Sequence, residues 1–295
     1  MAPSPVEGTS RTLTAGMRRL LWVAAVLVFL AGVQLFVFPQ RTARYFAWTI
    51  DPPLTAAFLG ASYWSSVAFE VSAARARTWA LARIAVPTVF VFTTLTLLVT
   101  LIHLDRFHLG GEFEGTTQAV TWAWIGIYVV VPVLMAWLWL AQARLPGRDP
   151  RRERPLPPWL AGVVLVQAVV LVALGVYLLV DPTGAADLWP WKLTPLTGRA
   201  IGAWLASLGL AAAHALVERD VRRLRPAAVA YLTFGLLQAV ALLRYPHTPD
   251  WDDVRSYLYL TFLVSAVVVG ASTLSLSRSG VASAGGRSGQ PTAVA

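Results

Sequence analysis

Apolar residues in this chain fall into eight runs of about twenty, separated by short polar segments. The runs cover residues 20–38, 54–72, 84–104, 121–141, 159–180, 197–217, 226–244 and 256–276. About 20 apolar residues is the length a helix needs to cross a hydrocarbon core about 30 Å thick. Polar and apolar residues do not alternate within the runs, so they are not the strands of a membrane β-barrel. The pattern predicts an all-α, polytopic transmembrane helix bundle of about eight spans. The first run follows Arg18-Arg19, as in a secretory signal. It is longer than a signal h-region and ends at Phe38-Pro39-Gln40 without a small-x-small cleavage site, so it reads as the first span.

A second regularity lies on top of the first. Pro39…Trp48…Pro52-Pro53-Leu54-Thr55…Gly60-Ala61 returns as Pro182…Trp191…Pro195-Leu196-Thr197…Gly202-Ala203. The offset is 143 up to the tryptophans and 142 from Thr55 and Thr197 onward. The chain therefore reads as two four-helix repeats, residues 17–143 and 159–276. Four spans per repeat is an even number, so both repeats enter the membrane from one side and are parallel. The Arg- and Pro-rich linker 144–158 joins them. Residues 1–16 and 277–295 read as disordered ends.

Charge sets the orientation. Of 24 basic residues, seventeen fall in segments on the N-terminal side and seven in the alternate loops. Basic loops stay in the cytoplasm, so both termini are expected there, with the chain in the plasma membrane. The net charge of +9 is explained by these loops, and no nucleic-acid partner is expected; the partner is the bilayer. Eleven of the 13 tryptophans lie near span ends, including Trp48, Trp189 and Trp191, as an aromatic belt would place them.

Little catalytic chemistry follows. There is no cysteine, and no P-loop, HExxH or GxSxG pattern. No cofactor is predicted. His103 and His108, with neighbouring Asp and Glu, and His247 with Asp250, sit in two loops on the same side. They are the weak candidates for a metal site, should they converge. Glu70 and His214 lie near the ends of the second and sixth spans, at nearly equivalent repeat positions. An ionisable residue in a span is an ion-coupling candidate; the plainer expectation is that Glu70 pairs with Arg75 or Arg77. Gln34, Gln167 and Gln238 suit interhelical hydrogen bonds. In the repeated motif, Pro52 and Pro195 suit helix starts. Thr55 and Thr197 suit the capping of those helices, and Gly60 and Gly202 suit close helix contact.

The string from Phe46 to Gly60 resembles one found in multi-pass integral membrane proteins of actinobacteria and related bacteria. The resemblance covers mainly the first half. It implies a helical membrane protein and carries no activity or site residue. Three classes of function remain, each with its own structural signature. A transporter requires polar residues of both halves around a cavity. A non-catalytic scaffold or complex subunit requires a dry interface of small residues. A membrane enzyme requires the loop histidines and carboxylates to meet at an outer-face metal site.

Overall fold

The computed structural model describes residues 10–278. Eight long helices carry the fold: α1, Ala15–Gly32; α2, Pro53–Ala74; α3, Ala85–Ile102; α4, Gly115–Ala143; α5, Pro158–Val180; α6, Pro195–Glu218; α7, Arg225–Arg244; and α8, Val254–Arg278. A π-helical turn, Val33–Val37, prolongs α1. Among the described residues there is no strand, only isolated bridges.

Seven of these helices are long and apolar enough to cross a membrane, which makes the chain a multi-pass helical membrane protein. The exception is α2, and its surroundings explain why. It carries Ser62, Tyr63, Ser65, Ser66 and Glu70, and a larger share of its residues is buried than in any other long helix. It packs between α1 and α7. A helix covered by its neighbours needs no apolar surface for lipid.

Packing closes the helices into a ring. α1 packs on α2, α2 on α7, α7 on α8, α5 on α6, α6 on α3 and α3 on α4; lighter contacts of α4 with α1 and of α8 with α5 complete it. Each half of the chain thus forms an arc, and the arcs meet at two seams, α2 with α7 and α3 with α6. Glycines permit the closest approaches inside each arc. A Cβ on Gly60 would stand 2.5 Å from the Phe36 amide nitrogen at the end of α1. A Cβ on Gly202 would stand 2.8 Å from the Gly175 carbonyl oxygen on α5. Gly60 and Gly202, equivalent in the sequence repeat, therefore hold equivalent helix pairs together.

The polar connections gather at two opposite ends. One end, the linker face, holds residues 10–14, 75–84, 144–157 and 219–224. The other, the tryptophan face, holds 38–52, 103–114, 181–194 and 245–253. The expected disorder of residues 1–16 does not hold for residues 10–16. Ser10 and Thr12 form bridges with Arg148 and Thr78, and Gln142 clamps the segment by donating to Thr12 O and accepting from Thr14 N. Thr14 then caps α1. These contacts satisfy the backbone locally, which polar composition alone does not reveal. Residues 1–9 and 279–295 lie outside the described residues; α8 runs to Arg278. The linker is irregular from Leu145 to Pro157, as its prolines require.

Candidate functional site, a cavity lined by all eight helices

At the tryptophan face the ring is filled with aromatic side chains. Trp48 is buried against Phe46, Phe107 and Trp124. Trp189 and Trp191 are buried against Phe58 and Tyr259. These three tryptophans belong to the core, which corrects their assignment to a lipid-facing belt. Trp22, Trp122, Trp137 and Trp159 are exposed, as that belt requires. The reason for the difference is the loop preceding α2 and its counterpart preceding α6. Both fold inward and carry their indoles under the neighbouring helices.

The two motif copies meet directly. Trp191 Nε1 donates to Thr55 Oγ1 at 2.9 Å. Thr55 therefore does not cap α2, whose N-cap position is Pro52 with no side-chain bond. Thr197 does fulfil the capping expectation, in a reciprocal box with Thr194. Pro53 and Pro195 both occupy the first turn of their helices, where no amide donor is lost.

Beneath this aromatic layer lies a cavity of about 130 Å³ to which every long helix contributes. Its ceiling is Trp204 of α6 against Phe92 of α3, with ring centroids 3.9 Å apart, together with Tyr128 of α4. Tyr128 shares a 2.7 Å hydrogen bond with Tyr63 of α2. Three polar groups in the wall are left incomplete. Glu70 on α2 is 2% exposed and its Oε2 has no partner. Gln167 on α5 is 7% exposed; its amide donates to Ser265 while its Oε1 has no partner. The Tyr231 hydroxyl on α7 also has none. Buried polar atoms are normally paired, so three orphans around one cavity mark it out.

The linker face is closed by an ionic cluster. Arg83, between α2 and α3, forks onto Glu218 at the end of α6, with Nη2 to Oε2 at 2.8 Å and a second bond from Nε to Oε1. It also pairs with Asp149 of the linker. Arg223 donates to Glu218 at 2.9 Å, and His214 Nε2 lies 3.4 Å from Glu218 Oε1. Asp220 accepts from the amides of Glu153, Arg154, Arg222 and Arg223. The linker is thereby fastened across this end, and its Leu156 forms part of the cavity wall. Arg219, in the left-handed region at φ 49°, ends α6 and aims its carbonyl at the Leu156 amide.

The sequence candidates separate. Glu70 faces the cavity and pairs with neither Arg75 nor Arg77, which corrects that expectation. Arg75 follows five residues later, about 140° around the helix, and its guanidinium lies over Trp22. His214 belongs to the Glu218 cluster and does not line the cavity. His103 accepts from Arg199 Nη1 at 2.9 Å. His108 has both ring nitrogens engaged: Nδ1 donates to Phe46 O at 2.9 Å and Nε2 accepts from Thr49 Oγ1 at 3.0 Å. Burial holds both imidazoles below their usual range; at His103 the Arg199 charge adds to this, and at His108 the bond to Phe46 opposes it. Asp250 is tied into its own turn, accepting from Asp252 N. His103, His108, His247 and Asp250 do not gather: among the described residues no three His, Cys, Asp or Glu side chains are close enough to hold a metal ion.

Sequence reasoning missed Tyr231, because a tyrosine inside an apolar run reads as packing. It also missed Glu218 and Arg223, whose charges count as loop residues until the linker is seen folded over them. No family model, no curated protein and no solved structure matches this chain.

Proposed function

We propose that this protein is a transporter-like membrane protein that holds a small solute in the cavity between its two halves. The observation that carries the proposal is the cavity itself. Orphaned polar atoms of both halves, Glu70 from the first and Gln167 and Tyr231 from the second, surround one space in the bundle. A scaffold has no use for an unpartnered buried carboxylate, which costs stability wherever it serves nothing.

The proposal includes eight spans in two parallel four-helix repeats. The packing pattern supports this: the pairs α1–α2 and α5–α6, α3–α4 and α7–α8, and the seams α2–α7 and α6–α3 exchange under a shift of four helices. Counting α2 as a span is supported by its ends. Thr55 meets Trp191 at the tryptophan face, and the chain just beyond Ala74 meets Arg18 at the linker face, through Ala76 O. The basic-residue bias supports a plasma-membrane protein with the linker face and both termini in the cytoplasm.

The test is access. The chain has no native cysteine, so Ser207→Cys, in the cavity wall, is a unique reporter. A transporter cavity communicates with both sides in turn. In sealed vesicles of each orientation, Ser207→Cys is expected to react with a membrane-impermeant thiol reagent from both sides. Reaction from one side alone argues for a blind pocket, and no reaction from either side removes the proposal.

A further inference from the structure

The geometry points to a definite class of solute: a small organic cation, an ammonium on an apolar body, with its charge balanced by Glu70. This rests on reading the cavity as a solute site. Three observations lead to it.

The first is the hydrogen-bonding sense of the wall. A hydroxyl has one proton to donate and two lone pairs. The protons of Ser65, Thr88, Thr93, Ser207 and Thr273 are already spent on the carbonyls of their own helices. What these groups retain is acceptor capacity. Gln167 has likewise spent a donor on Ser265 and keeps Oε1 free. Tyr231 keeps its own proton, but open acceptors outnumber free donors in this wall, which favours a ligand that donates.

The second is charge. Among the described residues lining the cavity there is no Lys, Arg or His, and Glu70 is the one carboxylate. Of the linker-face arginines, Arg83 and Arg223 are committed to Glu218, and Arg75 lies over Trp22. A buried carboxylate without a counter-ion is unfavourable. A bound cation supplies the missing partner, and the protein offers none.

The third is the remaining surface. Phe69, Phe92, Tyr128, Trp204 and Tyr231 line the same space among aliphatic side chains. Aromatic faces attract ammonium groups, and the apolar remainder suits an alkyl body. The volume is close to that of the cavity of about 150 Å³ that accepts benzene, which suits a small solute. A bare metal ion would leave most of this apolar surface empty.

The experiment uses the full-length Ser207→Cys protein in proteoliposomes, with three methanethiosulfonates of similar size as probes: 2-aminoethyl (cationic), 2-hydroxyethyl (neutral) and 2-sulfonatoethyl (anionic). Each rate is divided by that reagent's rate with a free thiol. The cation is expected to outpace the anion at least about tenfold, the smallest enrichment that a focused field gives. Glu70→Gln should bring the ratio near one, and Glu70→Asp should keep most of it. Equal normalised rates, or a cation preference that survives Glu70→Gln, overturn the inference while leaving the solute cavity standing. Failure of all three reagents to react removes the cavity reading and this inference together. A parallel reporter at Ser65→Cys guards against a local fault at position 207.

Discussion

Trp191 of the second motif copy donates its indole proton to Thr55 of the first over 2.9 Å, inside the buried core. The repeat equivalent of this bond would join Trp48 to Thr197. It is absent: Thr197 is engaged by Thr194, and Trp48 Nε1 has no partner. A buried hydrogen bond contributes about 1 kcal/mol net. A double-mutant cycle of Trp191→Phe and Thr55→Val, read by thermal unfolding in detergent, should give a coupling of about that size. The cycle of Trp48→Phe and Thr197→Val should give a coupling near zero.

Glu70 should be dispensable for folding. A buried carboxyl without a partner costs stability, so an apolar side chain of similar length in its place should be neutral or stabilising. Glu70→Met is therefore expected to raise the unfolding temperature. Glu218→Met should lower it sharply, because Arg83 and Arg223 then lose the carboxylate that pairs them. A loss of stability in Glu70→Met would mean that the carboxylate is a structural group.

The tryptophan face should weaken in acid. His108 is buried and its folded-state pKa lies below the ordinary value. The unfolded chain thus binds a proton more readily, and stability rises with pH across the window between the two values. As pH falls below about 6.5, the ordinary histidine value, the unfolding temperature should drop. His103 acts in the same direction. His108→Gln should flatten part of this dependence; an unchanged pH profile would contradict the assignment.

Orientation is open to a direct check. Cysteines introduced at Thr116 and Arg152 should label from outside and inside the cell respectively. The reverse pattern would overturn the proposed topology.

The apolar runs made the helices legible. Each predicted span falls on a helix, with ends displaced by up to about six residues, because in a membrane protein apolar length and helix length are set by one dimension. Even α2, the least apolar of them, was found from its run. An indole near a span end suits lipid and core equally; only the inward fold of the two loops separates Trp48 and Trp191 from Trp122 and Trp137. Glu70 stands out as an ionisable residue in a span, but sequence proximity does not give its partner, since five residues on a helix place Arg75 on another side. The cavity was not legible at all. It exists because all eight helices converge on it, and nothing local in Gln167 or Tyr231 records that convergence.

The most direct test of the central claim is a high-resolution cryo-EM map of the protein in lipid nanodiscs. The account predicts an open cavity beneath Trp204 and Phe92, with non-protein density within hydrogen-bonding distance of Glu70. A collapsed bundle, with Glu70 paired to a side chain of this same protein, would contradict it.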